Sequence, residues 1–351
     1  MKLTFDDVLI EPQFSTIKSR KDVNLSVKIG NLILDIPIIS SNMDTVTEDR
    51  MANVMYREGA IGCLHRFMSI EDNADMFVSS MQHDASNVIV SFGLGEIEQQ
   101  RVNRLVEVGA TSFCLDVAHG AQQVVAEQTI WFKQNYPEMT LIVGNFGSAK
   151  SLRGFLSHTM ANKVIPDAVK VGIGPGSACT TRIVTGVGFP QISAIQAIKQ
   201  SIENMPIKII ADGGMKTSGD IAKAIAAGAD AVMLGGMLAG TDETPGKILG
   251  GYSATDGTLI GSPPYKAYRG SASIASYSDQ GKDWATAEGE SFTVPYKGPV
   301  KDIINSIDGG LRSAFTYVGA KSMYEFHKRA RLIKVSASTV IKNGAHGENS
   351  E

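Results

Sequence analysis

Short runs of β-branched and other apolar residues recur along the chain, each separated from the next by enough sequence for one helix. This is the pattern of a parallel α/β protein whose strands are buried on both faces. Eight such runs stand out, at residues 37–42, 60–65, 87–92, 112–118, 140–146, 168–174, 207–213 and 231–236. The helical period between them is clearest at 191–203, where Ile192, Ile195, Ile198 and Ile202 share one face. It recurs at 219–227, with Ser218 expected as N-cap and Gly228 as the stop. Further helices are expected near 49–58, 98–108, 122–134 and 149–158. Eight strand–helix units within about 250 residues predict an α/β fold of the (β/α)8 TIM-barrel type rather than a doubly wound sheet.

A barrel of this kind carries its active site where the strands end. Polar or glycine-rich residues follow the predicted strands in turn: Asn42 with Asp44, His65, Ser91, Asp116 with His119, Asn145, the Gly174 loop, Asp212, and Gly235 with Gly236. Singly, each reads as a loop residue or a helix cap. Together they predict one pocket on one face. Past the eighth strand the periodicity is lost: residues 238–282 are rich in Gly, Ser, Thr, Tyr and Asp, and Val294-Pro-Tyr-Lys-Gly298 then leads into an apolar helical pattern. A stretch of this length is expected to hold a functional lid, set here as a mobile flap over residues 271–292. Residues 1–36 are expected to form an N-terminal cap or hairpin on the barrel, residues 1–336 to form one catalytic domain, and residues 337–351 to be a flexible tail.

Composition narrows the function. The 351 residues are 43% hydrophobic and 20% charged, the make-up of a soluble globular protein with a large core. A net charge of -3 gives no electrostatic footprint for nucleic acid or an anionic membrane, so a phosphorylated small molecule is the better partner. Three cysteines, at 63, 114 and 179, have no metal-ligand spacing. With no signal-like segment and no apolar run approaching the roughly 20 residues of a bilayer span, the expectation is a reduced, cytoplasmic setting.

The candidate chemistry concentrates in Val171-Gly-Ile-Gly-Pro-Gly-Ser-Ala-Cys-Thr-Thr-Arg182. Gly174, Pro175 and Gly176 leave backbone N–H groups free to turn toward a phosphate, and Ser177 adds a hydroxyl. The phosphate site is expected from Gly176-Ser177, Gly213-Gly214 and Gly235-Gly236, with Tyr268 of Tyr268-Arg-Gly270 as a further donor. Asp212 suits a ribose diol, since a carboxylate accepts two hydrogen bonds; the alternative is a cap on the following helix or a pair with Lys216. An ordinary thiol is mostly protonated at neutral pH, so Cys179 needs a neighbour to become a nucleophile. A nucleophilic thiolate attacking an electron-poor carbon such as a purine C2 would give a tetrahedral adduct able to lose an amine or exchange hydride with a nicotinamide. Glu288, in Ala-Glu-Gly289, is the general acid/base candidate on the flap, against the plainer alternative of a solvated surface carboxylate.

These motifs closely resemble the inosine-monophosphate dehydrogenase and guanosine-monophosphate reductase superfamily. The resemblance runs from Phe5-Asp-Asp-Val-Leu-Ile10 through Asn42-Met-Asp-Thr-Val46, the Cys179 loop, Asp212-Gly-Gly214, Met233-Leu-Gly-Gly-Met237 and Pro295-Tyr-Lys-Gly298 to Gly309-Gly-Leu-Arg312. It implies a cysteine nucleophile at Cys179, with Thr181 orienting the small leaving or attacking group. It implies a purine nucleotide held by Ser177, Asp212, Gly214, Gly235, Gly236, Met237, Tyr268 and Gly270, and a nicotinamide cofactor beside Asp116 and Asn145. It further implies a potassium ion on carbonyls of Gly174, Gly176 and Cys179, and a homotetramer.

Three functions remain open within the resemblance. Dehydrogenases usually insert a regulatory domain of two CBS motifs after the second strand, whereas Cys63-Leu-His-Arg-Phe67 here runs directly into Ser69-Ile-Glu-Asp72. No Arg-Tyr pair, which activates water in the dehydrogenases, occurs between Gly270 and Val294, and Ala-Glu-Gly289 resembles the reductase pattern in which Glu288 and Thr181 protonate departing ammonia. Both features favour reductive deamination of guanosine monophosphate with NADPH. In the other direction, Asp116-Val-Ala-His-Gly120, Tyr268-Arg-Gly270, Ser218-Gly-Asp-Ile-Ala222 and Leu238-Ala-Gly-Thr241 resemble dehydrogenases, which oxidise inosine monophosphate with NAD. The third alternative is a purine-nucleotide sensor that has lost turnover.

Overall fold

Alternation along each strand sorts the side chains into two cores and closes the barrel. The computed structural model describes residues 2–81, 88–255, 258–279 and 286–336. The chain enters through β1 (Val8–Ile10) and a hairpin of β2 (Val27–Ile29) and β3 (Leu32–Leu34). It then lays down β4 (Ile38–Ser40), β5 (Ile61–Leu64), β6 (Val88–Phe92), β7 (Ser112–Asp116), β8 (Thr140–Phe146), β9 (Ala168–Val171), β10 (Lys208–Asp212) and β11 (Ala231–Leu234). These eight form a closed parallel barrel, sealed where β11 pairs with β4 at Val232↔Ile38. All eight expected runs contain a barrel strand; Asn87, in the third, lies outside the described residues.

Ile39, Ile61, Cys63, Ile89, Cys114, Ile142, Ala168, Ile210, Ala231 and Met233 point inward and cluster with Val27, Ile29, Leu32 and Leu34 of the hairpin. Ile61, Ala168 and Ala231 begin their strands, so the hairpin plugs the barrel at its N-terminal end. The opposite parity, including Leu64, Phe92, Phe113, Val143, Val171 and Ile209, faces the helices. Full burial of each large aliphatic group stabilises by roughly 1.5–3 kcal/mol, which sets the register: a one-residue slip would exchange the two faces.

The helices around the barrel are α1 (Asp49–Arg57), α2 (Ile70–Met81), α3 (Glu96–Glu107), α4 (Gln123–Asn135), α5 (Ala149–Ala161), the short α6 (Thr181–Thr185), α7 (Gln191–Ser201) and α8 (Ser218–Ala226). The isoleucine face of α7 is buried, as its spacing predicts. The expected cap on α8 is corrected by one residue. Thr217, not Ser218, is the N-cap: its Oγ1 accepts the Asp220 N–H at 3.1 Å while Asp220 Oδ2 accepts the Thr217 N–H at 3.2 Å. This reciprocal box satisfies two donors that a lone Ser218 would leave open.

The region read as lacking periodicity holds two strands, β12 (Leu249–Thr255) and β13 (Thr258–Arg269), which form a three-stranded antiparallel sheet with β14 (Ser291–Pro295) beyond it. Gly250 and Gly251 sit at a register break in β12, Pro263 and Pro264 lie in β13, and β14 is mostly exposed, so no apolar stripe marks these strands. Part of the expected flap is thus built in, with α9 (Ile274–Asp279) between β13 and β14; its residues 280–285 lie outside the described residues, as does the expected tail. α10 (Val300–Val318) and α11 (Met323–Arg329) complete the wall, and β15 (Leu332–Lys334) pairs with β1, tying the two ends of the described chain together. No helix among the described residues is long and apolar enough to cross a membrane.

Candidate active site

Two joined cavities open at the C-terminal ends of the barrel strands. One, of about 270 Å³, is lined by Ser177, Gly213, Gly214, Gly235 and Gly236, and shares Pro175, Gly176, Asp212 and Tyr268 with a larger one of about 380 Å³. The larger is lined on its far side by Asp116, Asn145, Cys179, Thr181 and Glu288.

Close approach explains the glycines of the smaller cavity. Gly213 and Gly214 both hold left-handed φ angles, +86° and +83°, and a Cβ at Gly213 would lie 3.0 Å from the Gly176 nitrogen. A Cβ at Gly236 would lie 2.8 Å from Ser177 Oγ. The result is a cradle of backbone and small hydroxyls, suited to a phosphate. Tyr268, 4% exposed, reaches in with its hydroxyl 3.5 Å from Ser177 Oγ. Burial pushes its phenol up, keeping it a donor. Met237 lines neither cavity; its carbonyl, with that of Gly236, instead accepts from Lys297 Nζ at 3.1 and 2.9 Å, which braces the loop from behind.

Cys179, partly exposed, stands at the foot of a hydrogen-bonded chain. Its Sγ donates to Thr181 Oγ1 at 3.2 Å, and the Thr181 hydroxyl donates to Glu288 Oε2 at 2.8 Å. Backbone pairing holds this geometry: the Thr180 N–H donates to the Glu288 carbonyl at 2.8 Å, and the Glu290 N–H to the Ala178 carbonyl at 3.0 Å. Gly270 and Gly289 let three segments meet here, since a Cβ on either would crowd the Ala178 carbonyl, at 2.8 and 3.2 Å. Glu288 is therefore no solvated surface carboxylate.

Lys170, the most consequential residue missed in the sequence, sits at the centre of the larger cavity's floor. Its side chain is 2% exposed, with Nζ 2.5 Å from Asp116 Oδ1 and 3.4 Å from Asp212 Oδ2. Burial works to raise the Asp116 carboxyl, but Lys170, the Asn42 hydrogen bond and the Arg66 charge together hold it below the usual carboxylate range. Burial likewise disfavours the Lys170 charge, yet Asp116 and Asp212 hold its ammonium well above the usual lysine range. Its signal was parity: Lys170 shares the inward phase of Ala168, as Asp116 shares that of Cys114 and Asp212 that of Ile210. A Cβ at Gly144 would overlap Lys170, so that glycine leaves its room.

Asn145 Nδ2 donates to Asp212 Oδ2 at 2.8 Å and to the Gly172 carbonyl at 2.9 Å, which fixes the orientation of its amide. Its Oδ1 is buried with no partner among the described residues. This free acceptor, beside Asp116, fits the amide of a nicotinamide. Asp212 neither caps α8 nor pairs with Lys216; its side chain is turned to the cavity. The fit to potassium is poorer. Three carbonyls are a partial shell, that of Gly176 already accepts the Cys179 N–H at 3.1 Å, and the Arg182 side chain packs against Gly174.

A family model described as the IMP dehydrogenase / GMP reductase domain matches residues 2–346. The GMP reductase of Vibrio vulnificus (strain YJ016) is 34% identical over 348 residues, 95% of each chain. That of Shewanella halifaxensis (strain HAW-EB4) is 35% identical over 361 aligned positions, covering 99% of this chain and 98% of the relative. Among solved structures, a Cys-to-Ala variant of GMP reductase from Trypanosoma brucei, in complex with guanosine 5'-monophosphate, superposes with a TM-score of 0.87 at 29% identity, covering 99% of this chain and 98% of that one. With a matching barrel and likeness over nearly its whole length, the chain belongs to the IMP dehydrogenase / GMP reductase family of oxidoreductases.

Proposed function

We propose that this chain is a GMP reductase: it converts guanosine monophosphate to inosine monophosphate and ammonia with NADPH, through a covalent bond between Cys179 and purine C2. The observation that carries the reading is the unbroken path from Cys179 Sγ through Thr181 Oγ1 to Glu288 Oε2. Both hydroxyl and thiol donate toward Glu288, so the thiol proton has a route to the carboxylate and the sulfur is freed to attack. The relatives named GMP reductase, and the GMP in the Trypanosoma brucei structure, support the choice of substrate.

In this reading Ser177, Gly214, Gly235 and Gly236 hold the phosphate, Tyr268 donates to it, Asp212 accepts from the ribose, and Gly270 borders the nucleotide, while Met237 stands behind the cradle with its carbonyl on Lys297. Cys179 thiolate adds to C2. Glu288, through Thr181, returns a proton to the 2-amino group, which leaves as ammonia. Asp116 and Asn145 would hold a nicotinamide cofactor, which would supply the hydride that replaces the amine. The C2–S bond then breaks and the electron pair returns to sulfur. Overall, GMP, NADPH and two protons become IMP, NADP+ and ammonium. We read residues 1–336 as one catalytic unit without a CBS insertion, acting as a cytoplasmic homotetramer. Any potassium ion on the Gly174, Gly176 and Cys179 carbonyls would need further oxygen ligands.

The test is to incubate the purified protein with each nucleotide and cofactor pair while following the absorbance of reduced nicotinamide. Loss of that absorbance with GMP and NADPH, with IMP as product, is expected. Its growth with IMP and NAD, with xanthosine monophosphate as product, would make the chain a dehydrogenase; nucleotide binding without turnover would make it a sensor.

A further inference from the structure

The floor of the larger cavity carries two carboxylates on separate strands, Asp116 at the end of β7 and Asp212 at the end of β10, with one buried cation between them. Resting on the proposed function, we infer that Lys170 is a positioning residue for both nucleotides: its ammonium joins Asp116 and Asp212 into one bridge that presents an acceptor to each half of the cavity. Asn145 locks the bridge at its Asp212 end, 2.8 Å from the same Oδ2 that faces Lys170.

The chemistry of the ligands requires such a device. A ribose diol and a carboxamide N–H both donate, so each needs an ionised or at least unprotonated acceptor. Two neighbouring carboxylates in a partly dry site repel, and one takes up a proton and becomes a donor, unless a cation lies between them. The other charged and titratable groups around the bridge do not replace Lys170. Arg66, from the loop after β5, acts on Asp116; Tyr268, from β13, feels the Asp212 charge but is a neutral phenol; Cys114, from β7, lies beneath; Met233, from β11, meets Nζ with its sulfur at 3.8 Å. Held well above the usual lysine range, Lys170 keeps its proton and is no general acid. Its part is to hold, not to transfer.

The test measures binding without turnover, with GMP and NADPH titrated separately into wild type, Lys170→Met and Lys170→Arg from acid to neutral pH. Lys170→Met is expected to weaken both nucleotides by about tenfold or more, and its loss of affinity on acidification should begin at higher pH than in wild type. Lys170→Arg, which keeps the charge, should retain the wild-type acid profile. Should Lys170→Met fail to fold, the Lys170→Met, Asp116→Asn double variant removes one of the two uncompensated carboxylates. It should then bind GMP about tenfold more weakly than Asp116→Asn alone. Unchanged affinities and acid profile in Lys170→Met, an effect on one nucleotide only, or equal GMP affinity in the double and single variants would overturn the inference. A wild type that binds GMP but variants that match it would leave the proposed function standing; a wild type that binds neither nucleotide would overturn both.

Discussion

Thr181 is the residue on which the choice of reaction turns, because its hydroxyl joins thiol to carboxylate and contributes nothing to the phosphate cradle. Thr181→Val keeps the shape and removes the relay. It is expected to lower kcat for GMP by about 10²–10⁴-fold, the usual worth of a positioned acid/base, with little change in KM. Steady-state kinetics would check this; a KM effect with unchanged kcat would make Thr181 a binding residue. At this scale much was legible. Cys179, Thr181 and Glu288 each stand out in the sequence and the structure joins them in one hydrogen-bonded chain, but only family likeness raised Glu288 above a surface carboxylate, since its partner is 107 positions away. Lys170 escaped because a lysine inside a strand reads as an interruption until the inward phase of its neighbours is known.

Between elements, the attachment of the flap is the feature that sequence hid. Arg269, at the end of β13, donates to Asp44 Oδ2 from Nε at 3.0 Å and Nη2 at 2.6 Å, while its Nη1 lies 2.7 Å from Asp279 Oδ2 in α9. The two carboxylates are not equivalent. Asp279 is 64% exposed, so solvent screens that pair, and Asp279→Asn should cost under about 1 kcal/mol. Asp44 is 11% exposed and its Oδ1 has no partner among the described residues, so Arg269→Leu would strand a buried charge and cost about 3 kcal/mol or more. Urea unfolding of the two variants would test this, and equal losses would contradict it. The barrel strands were readable because burial on both faces writes a continuous apolar run. β12 to β14 were not, because glycines, prolines and exposed faces leave no stripe. The Thr217 cap was missed by one residue for a related reason: adjacent Thr and Ser are equally good caps, and only the Asp220 reach-back tells them apart.

The whole molecule is a division of labour set by strand polarity. The N-terminal end of the barrel is sealed with the apolar β2–β3 hairpin, and the C-terminal end keeps its polar inward layer, with Asp116, Lys170 and Asp212 above Cys114, Ala168 and Ile210. The first assignment was visible as a cap or hairpin on the barrel, the second as a row of polar residues after strands. What joins them into one site is closure of β11 onto β4, which brings Gly235 beside Ser41 and Met43 across nearly two hundred residues, a distance no local pattern spans.

The central claim, a covalent bond from Cys179 to the purine, is tested most directly by quenching the enzyme in acid during GMP turnover and weighing the peptide that carries Cys179. The account predicts that this peptide gains the mass of GMP less ammonia, and that Cys179→Ala gains nothing and produces no IMP. Steady IMP formation by Cys179→Ala, or turnover by wild type with nucleotide never found on that peptide, would contradict it.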